Sequence, residues 1–166
     1  LSKPGIISNI HGYTFNISLS RPKSKGEINV VSSDPTSHPL IKANYLSHIQ
    51  DKKNLIEGIK ITRKIANSNT FKKHNSIEIQ PGSECVSDFE LLNYIKSSAS
   101  SLYHPVGTCR MGVDRNSVVN QSLQVRGISG LRVADASIMP TIISGNTNAT
   151  VIMIAEKAAE IIIKKK

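Results

Sequence analysis

The order of the hydrophobic patterns along the chain is the feature that most restricts its fold. Apolar and polar residues alternate over 14–19, and the alternation resumes at 28–30 after a break at 21–26. A period of two is typical of half-buried strands, and we expect these two runs to form a hairpin-like pair. Weaker strand patterns return at 117–120 and at 131–133.

Helical spacing governs much of the remaining chain. One helix is predicted from Asp51, as the N-cap, to about residue 67, and a second begins at the capping box formed by Ser87 and Glu90. A last helix is expected over 149–165, and its start is apolar almost all round, which predicts burial. Because strands and helices do not alternate regularly, we expect an α+β fold with an antiparallel sheet and flanking helices.

Composition excludes several classes of function. The 166 residues fit one domain, 1–166, and contain no apolar run long enough for a membrane span. The net charge is +9, but the lysines are dispersed and there is no Trp, so we expect no nucleic-acid partner. The two cysteines, Cys85 and Cys109, are too few for a thiolate metal tetrad, and no metal site is expected.

Three polar, glycine-containing segments carry the candidate chemistry: 103–112, 130–140 and 144–150. In the first segment, His104 precedes Pro105, which disfavours helical backbone at the histidine. A histidine fixed on irregular backbone suits a general base, because its ordinary pKa lies nearest neutrality. The pattern alone also allows a histidine that merely hydrogen-bonds to backbone.

The other two segments also leave alternatives open. Asp135 follows a short apolar strand pattern, and it suits either a ligand contact or an N-cap or Asx turn. Asn146 and Asn148 precede the last helix and suit either simple capping or a site at the helix N-terminus. Free N–H groups and partial positive charge make a helix N-terminus a seat for an anion or an electron-rich ring edge.

Taken together and in this order, the three segments resemble the C-terminal region of the glucose–methanol–choline (GMC) oxidoreductase family. The resemblance rests on His-Pro-Val-Gly-Thr-Cys at 104–109, Leu-Arg-Val-Ala-Asp-Ala-Ser-Ile-Met-Pro-Thr at 131–141, and Ser-Gly-Asn-Thr-Asn-Ala at 144–149. Residues 24–47 look most like the insect glucose dehydrogenase-like members. The resemblance covers nearly the whole chain and implies an FAD-dependent enzyme that acts on the CH–OH group of an alcohol or sugar.

The resemblance implies a role for each candidate residue. His104 would help to remove the hydroxyl proton of the substrate while hydride leaves for the flavin, and Asn146 would hydrogen-bond the same oxygen. Asp135 and Ala136 match a strip that contacts FAD near its ribityl and pyrophosphate groups. The remaining two residues, Thr147 and Asn148, would lie by the N1–C2=O edge of the flavin.

The resemblance also places half of the active site outside this chain. No Gly-x-Gly-x-x-Gly loop is present, so we expect the N-terminal FAD-binding domain to be missing, the last helix to return to that domain, and the isolated chain to be inactive. The alternative is a truncated, inactive domain that acts only as a binding module. Oxygen or a quinone is expected as electron acceptor. Family habit and three sequons, at Asn16, Asn120 and Asn148, favour secretion.

Overall fold

The computed structural model describes residues 11–74 and 76–164. Contacts divide the chain into a first unit, within Leu1–Leu19 and Tyr45–Ser100, and a second unit, within Ser20–Asn44 and Ser101–Lys166. The elements in chain order are β1 (Glu27–Asn29), β2 (Leu40–Lys42), α1 (Ile49–Ala66), α2 (Asn69–Lys72), α3 (Asp88–Ser98), a 3₁₀ turn (Ala136–Ile138) and α4 (Asn148–Ile163).

The core of the first unit lies between α1 and α3. Leu91 and Ile95 of α3 pack against Ile56 and Ile59 of α1, and all four side chains are buried. Gly58 lies in the middle of α1, where a glycine normally weakens a helix. A Cβ at this position would meet Cγ2 of Ile17 at 2.5 Å, so the missing side chain makes room for the N-terminal segment.

The strand expected over 14–19 is absent from the described structure, although its burial pattern is as predicted. Phe15, Ile17 and Leu19 are half-buried and their polar neighbours are exposed, but no partner strand is hydrogen-bonded to this segment among the described residues. The hairpin-like pair predicted between 14–19 and 28–30 is therefore wrong. An alternating pattern shows which face of an extended segment is buried, but a β-strand also needs a neighbouring strand to which it can hydrogen-bond.

The antiparallel sheet of the second unit instead pairs β1 with β2. Glu27 lies opposite Lys42, Ile28 opposite Ile41, and Asn29 opposite Leu40. The prediction of an antiparallel sheet with helices is confirmed, in the form of this small two-stranded sheet. The patterns at 117–120 and 131–133 form single bridges: Met111 with Val119, Val119 with Val125, and Gln124 with Arg132.

The helix starts were predicted with mixed success. Ser87 caps α3 as expected: its Oγ accepts a hydrogen bond from the Glu90 N–H, and the Glu90 carboxylate accepts from the Ser87 N–H. The expected cap of α1 is wrong, because the Nδ1 of His48 accepts from Gln50 N–H and Asp51 lies buried in the first turn. An imidazole is an uncommon cap, which the sequence pattern did not suggest.

The core of the second unit lies where α4 meets the 3₁₀ turn and the loops before it. Its buried members are Val119, Leu123, Ile138, Met139, Ile154 and Ala158. Within the described residues Ile152 and Met153, near the apolar start of α4, remain 55% and 56% exposed, as expected for a helix that returns to an FAD-binding domain outside this chain. The predicted end of this helix, at Lys165, lies outside the described residues.

Candidate functional site

Two unusual backbone conformations shape the loop that carries His104. Tyr103 has a φ of 61°, a left-handed conformation that is rare for an aromatic residue, and its N–H donates to the Ser101 hydroxyl at 2.9 Å. Gly107, three residues after His104, has a φ of 92°. Non-glycine residues in this region often accompany functional sites, where the surrounding structure compensates for the strain. His104 itself is half-buried.

Main-chain hydrogen bonds attach the His104 loop to the 3₁₀ turn. The N–H of Cys109 donates to the carbonyl oxygen of Ser137 at 3.0 Å, and the N–H of Met111 donates to that of Ile138 at 2.7 Å. The first and second polar segments are therefore neighbours in the second unit. Both cysteines are free thiols, and Cys109 is half-buried in this contact.

Asp135 caps the 3₁₀ turn. Its Oδ1 accepts hydrogen bonds from the N–H of Ser137 at 2.8 Å and from the Ser137 hydroxyl at 2.5 Å. The capping alternative for Asp135 is thus confirmed, and its contact with a ligand stays a prediction. The side chain is exposed, while Ala136 is half-buried against the core of the second unit.

The third polar segment meets the first through Thr147. The Oγ1 of Thr147 lies 3.1 Å from Nδ1 of His104, within hydrogen-bond distance. Thr147 is 7% exposed and occupies the N-cap position of α4 in helical backbone conformation, with no capping hydrogen bond from its side chain. Thr147, which the resemblance places by the flavin edge, thus hydrogen-bonds to the candidate base through its hydroxyl.

Asn146 and Asn148 flank this buried threonine and are both exposed. Neither side chain hydrogen-bonds to any of the described residues, so the simple capping role that the sequence allowed them is not found. Asn146 precedes Thr147 in the chain, and Thr147 hydrogen-bonds to His104. The contact of Asn146 with a substrate oxygen stays a prediction.

Sequence reasoning missed one contact of the third segment. The Nε of Arg21 donates to the Ser144 hydroxyl at 2.6 Å, which ties the loop before Asn146 to a residue 123 positions earlier. No local pattern pairs residues that are so far apart along the chain. A charged partner of a loop serine is visible only in three dimensions.

The start of α4 fits the electron-rich edge of a flavin by its donor chemistry. The first N–H donor found within the helix is Val151, which donates to the Thr147 carbonyl oxygen, and no side chain among the described residues caps the preceding N–H groups. Uncapped N–H groups with the partial positive charge of a helix N-terminus suit an electron-rich ring edge. Asp135 adds an exposed carboxylate of the type that binds hydroxyl groups.

One ion pair lies at the end of the His104 loop. The guanidinium of Arg110 donates to both carboxylate oxygens of Asp114, at 2.8 and 2.6 Å. These hydrogen bonds lower the pKa of Asp114 from 3.8 to about 2.

In the described ranges 11–74 and 76–164, no group of three or more His, Cys, Asp or Glu side chains is placed to hold a metal, and no helix is long and apolar enough to cross a membrane.

Comparison with known proteins identifies relatives for most of the chain. An alcohol dehydrogenase (acceptor) of Pseudomonas putida is 53% identical over 155 residues, which are 93% of this chain and 28% of that protein. An oxygen-dependent choline dehydrogenase of Klebsiella pneumoniae subsp. pneumoniae is 47% identical over 92% of this chain and 27% of its own length. The chain thus spans just over a quarter of these relatives. Both are bacterial, and the expected closeness to insect glucose dehydrogenase-like members finds no support in them.

Solved structures and a family model agree with these relatives. An FAD-dependent oxidoreductase from Chaetomium thermophilum superposes with a TM-score of 0.82 at 29% identity, over 87% of this chain and 25% of that one. A family model described as GMC oxidoreductase matches residues 22–155. The chain belongs to the GMC oxidoreductase family, whose members depend on FAD, and it carries the C-terminal region of that family.

Proposed function

We propose that this chain is the C-terminal, catalytic part of an FAD-dependent enzyme that oxidises the CH–OH group of an alcohol. The observation that supports the proposal is the hydrogen bond between His104 and Thr147, because it joins the candidate base to the N-cap of α4, the residue that follows Asn146. The proposed base His104, the proposed hydrogen-bond donor Asn146 and the helix start that would hold the cofactor all lie in the second unit.

Four residues are proposed to hold the cofactor. The N–H groups at the start of α4, by Thr147 and Asn148, would hold the electron-rich edge of the flavin, because no side chain caps them. Asp135 and Ala136 would lie along the chain of the cofactor that joins its rings, where a carboxylate accepts hydrogen bonds from hydroxyl groups. FAD, when bound, supplies the acceptor for the hydrogen that leaves the alcohol carbon.

His104 and Asn146 are proposed to act on the same substrate oxygen. An alcohol loses its carbon-bound hydrogen far more readily once its hydroxyl proton is removed, so a base must reach that proton. Neutral His104 accepts the proton at Nε2, the ring nitrogen that is not bonded to Thr147. The Asn146 side-chain N–H then donates to the oxygen as negative charge develops on it, which lowers the barrier.

The substrate is proposed to be a primary alcohol. Relatives that are 53% and 47% identical to the chain are named for alcohol and choline, and choline carries a primary hydroxyl group. A sugar hydroxyl, as in the insect glucose dehydrogenase-like members, stays a prediction from the sequence alone. We propose oxygen or a quinone as electron acceptor, and secretion stays a proposal that rests on the sequons.

The full-length protein tests the proposal directly. We expect the purified protein to be yellow, to hold one FAD per chain and to lose its flavin absorbance when a primary alcohol is added without oxygen. Choline, glucose and a secondary alcohol, tested in parallel, rank the substrate classes. A folded protein that binds FAD but is bleached by none of these compounds would contradict the proposed oxidation and favour the non-catalytic binding module.

A further inference from the structure

We infer that Thr147 is a positioning residue for His104: its hydroxyl holds Nδ1 of the imidazole and so keeps Nε2 free to accept the substrate proton. The inference rests on the proposed function and deepens it, because the resemblance gave Thr147 only a flavin contact. The two residues lie 43 positions apart, and the contact is 3.1 Å from Thr147 Oγ1 to His104 Nδ1.

The backbone at Thr147 explains why its hydroxyl reaches the histidine. A threonine at an N-cap usually adopts extended backbone and accepts a hydrogen bond from the first turn of the helix. Ser87, the cap of α3, does this with a ψ of 151°. Thr147 has a φ of −79° and a ψ of −13°, and its side chain makes no capping bond. The Thr147 side chain therefore does not cap α4, and its buried hydroxyl hydrogen-bonds to His104 instead.

The chemistry of a neutral imidazole makes this bond consequential. One ring nitrogen carries the hydrogen and the other carries a free lone pair. Either atom can be the donor at this distance. The tautomer that suits a base here carries its hydrogen on Nδ1, which donates to Thr147 Oγ1 and leaves the lone pair on Nε2 for the substrate proton. Removal of the hydroxyl leaves Nδ1 without this partner in a half-buried place, and the ring then gains by moving its hydrogen to Nε2 or by rotating. Both changes take away the acceptor.

The test compares variants of the full-length protein that differ in the hydroxyl alone. Thr147→Val keeps the shape of the side chain and loses the hydroxyl, whereas Thr147→Ser keeps the hydroxyl. If the valine variant does not fold, Thr147→Ala is compared with Thr147→Ser, because these two differ only in the hydroxyl. Thr150→Val, in the first turn of the same helix, is the matched control. The primary readout is the rate at which a primary alcohol bleaches the flavin absorbance.

We expect Thr147→Val to slow this bleaching roughly ten-fold, as the loss of one hydrogen bond to the base implies, with FAD content unchanged. Thr147→Ser restores the rate, and Thr150→Val keeps it. In a His104→Ala background, Thr147→Val has no further effect, because both changes act through one imidazole. The ¹⁵N resonances of the His104 ring, which do not depend on turnover, shift from the Nδ1–H form towards the Nε2–H form only in the variants that lack the hydroxyl at position 147.

Three outcomes would overturn the inference: an unchanged rate in Thr147→Val, an equal loss in the serine and valine variants, or an equal loss in the parent and His104→Ala backgrounds. The failure of the proposed function looks different. If the flavin of a His104→Ala protein is bleached at the parental rate, His104 is excluded as the base and the proposed function fails. If His104→Ala abolishes the reaction while Thr147→Val leaves it at the parental rate, His104 remains the base and only the positioning role of Thr147 is excluded.

Discussion

The N–H of Met111 donates to the carbonyl oxygen of Ile138 at 2.7 Å, and this bond fixes the His104 loop to the 3₁₀ turn that Asp135 caps. Ile138 is buried in the core of the second unit. The position of the candidate base is thereby coupled to the packing of that core. Changes that distort the loop between His104 and Met111 should affect stability and activity together.

Gly107→Ala tests how much the geometry of this loop contributes to stability. The φ of Gly107 is 92°, and a Cβ there would lie 3.3 Å from the carbonyl oxygen of Met139. We expect the free energy of unfolding to fall by about 1–2 kcal/mol, because an L-residue is strained at positive φ. Chemical unfolding of the full-length protein measures the change.

Two glycine controls separate strain from crowding. Gly127→Ala has a φ of 78° and open space around its Cβ, so it should cost less than Gly107→Ala. Gly145→Ala has neither positive φ nor a near neighbour, so its stability should stay close to the parental value. Equal stability of all three variants would show that the loop geometry at Gly107 is not required.

The capping box of α3 gives a second prediction. Ser87→Ala removes the oxygen that accepts the Glu90 N–H, and we expect the free energy of unfolding to fall by about 1 kcal/mol. Ser97→Ala, at the other end of α3, is the control, because its hydroxyl only bonds a carbonyl of its own helix. A loss as large in the control as in Ser87→Ala would argue against a specific capping effect.

Acid stability should depend on Asp114. Its pKa is about 2 in the folded protein and 3.8 ordinarily, because the Arg110 guanidinium bonds its ionised form. A lowered pKa means that this contribution is fully present above about pH 4 and is lost as the pH falls through about 2. Asp114→Asn should therefore show a flatter fall of the unfolding midpoint between pH 4 and pH 2 than the parent.

Glu156→Gln is the control for this pH dependence, because its exposed carboxylate forms no ion pair or hydrogen bond with the described residues. We expect its acid profile to follow that of the parent. An Asp114→Asn profile as steep as the parental one would contradict the role of the Arg110 pair.

Local patterns predicted the parts of this structure that local contacts determine. The capping box joins Ser87 to Glu90 within one turn, and both residues are visible together in the sequence. The pairing of β1 with β2 was not predicted, because the choice of partner depends on contacts between distant residues and the strands are only three residues long. Burial along 14–19 was predicted, but its lack of a partner strand was not.

The candidate site follows the same division. The three polar segments were recognised from their residues, and the structure brings His104 to the helix start that follows Asn146. The identity of the contact was missed: Thr147 bonds His104, and Arg21 bonds Ser144. Both bonds depend on the backbone conformation at the start of α4 and on partners that are far away in sequence.

Asn146→Ala should weaken the reaction less than loss of the base does. The variant removes one hydrogen bond to the substrate oxygen, which we expect to slow flavin bleaching by about ten- to a hundred-fold with FAD still bound. Asn116→Ala, an exposed asparagine of the same unit that lies outside the three polar segments, tests whether the effect belongs to position 146. An Asn146→Ala protein with parental rates would exclude that residue from contact with the reacting oxygen.

The most direct measurement is the rate of flavin bleaching by a primary alcohol in His104→Ala, followed by rapid mixing without oxygen. We expect a loss of about 10²–10⁴-fold, the range for a general base, with FAD content unchanged. His38→Ala, an exposed histidine of the same unit, should retain the parental rate. A His104→Ala protein that binds FAD and is bleached as fast as the parent would contradict the assignment of His104 as the base.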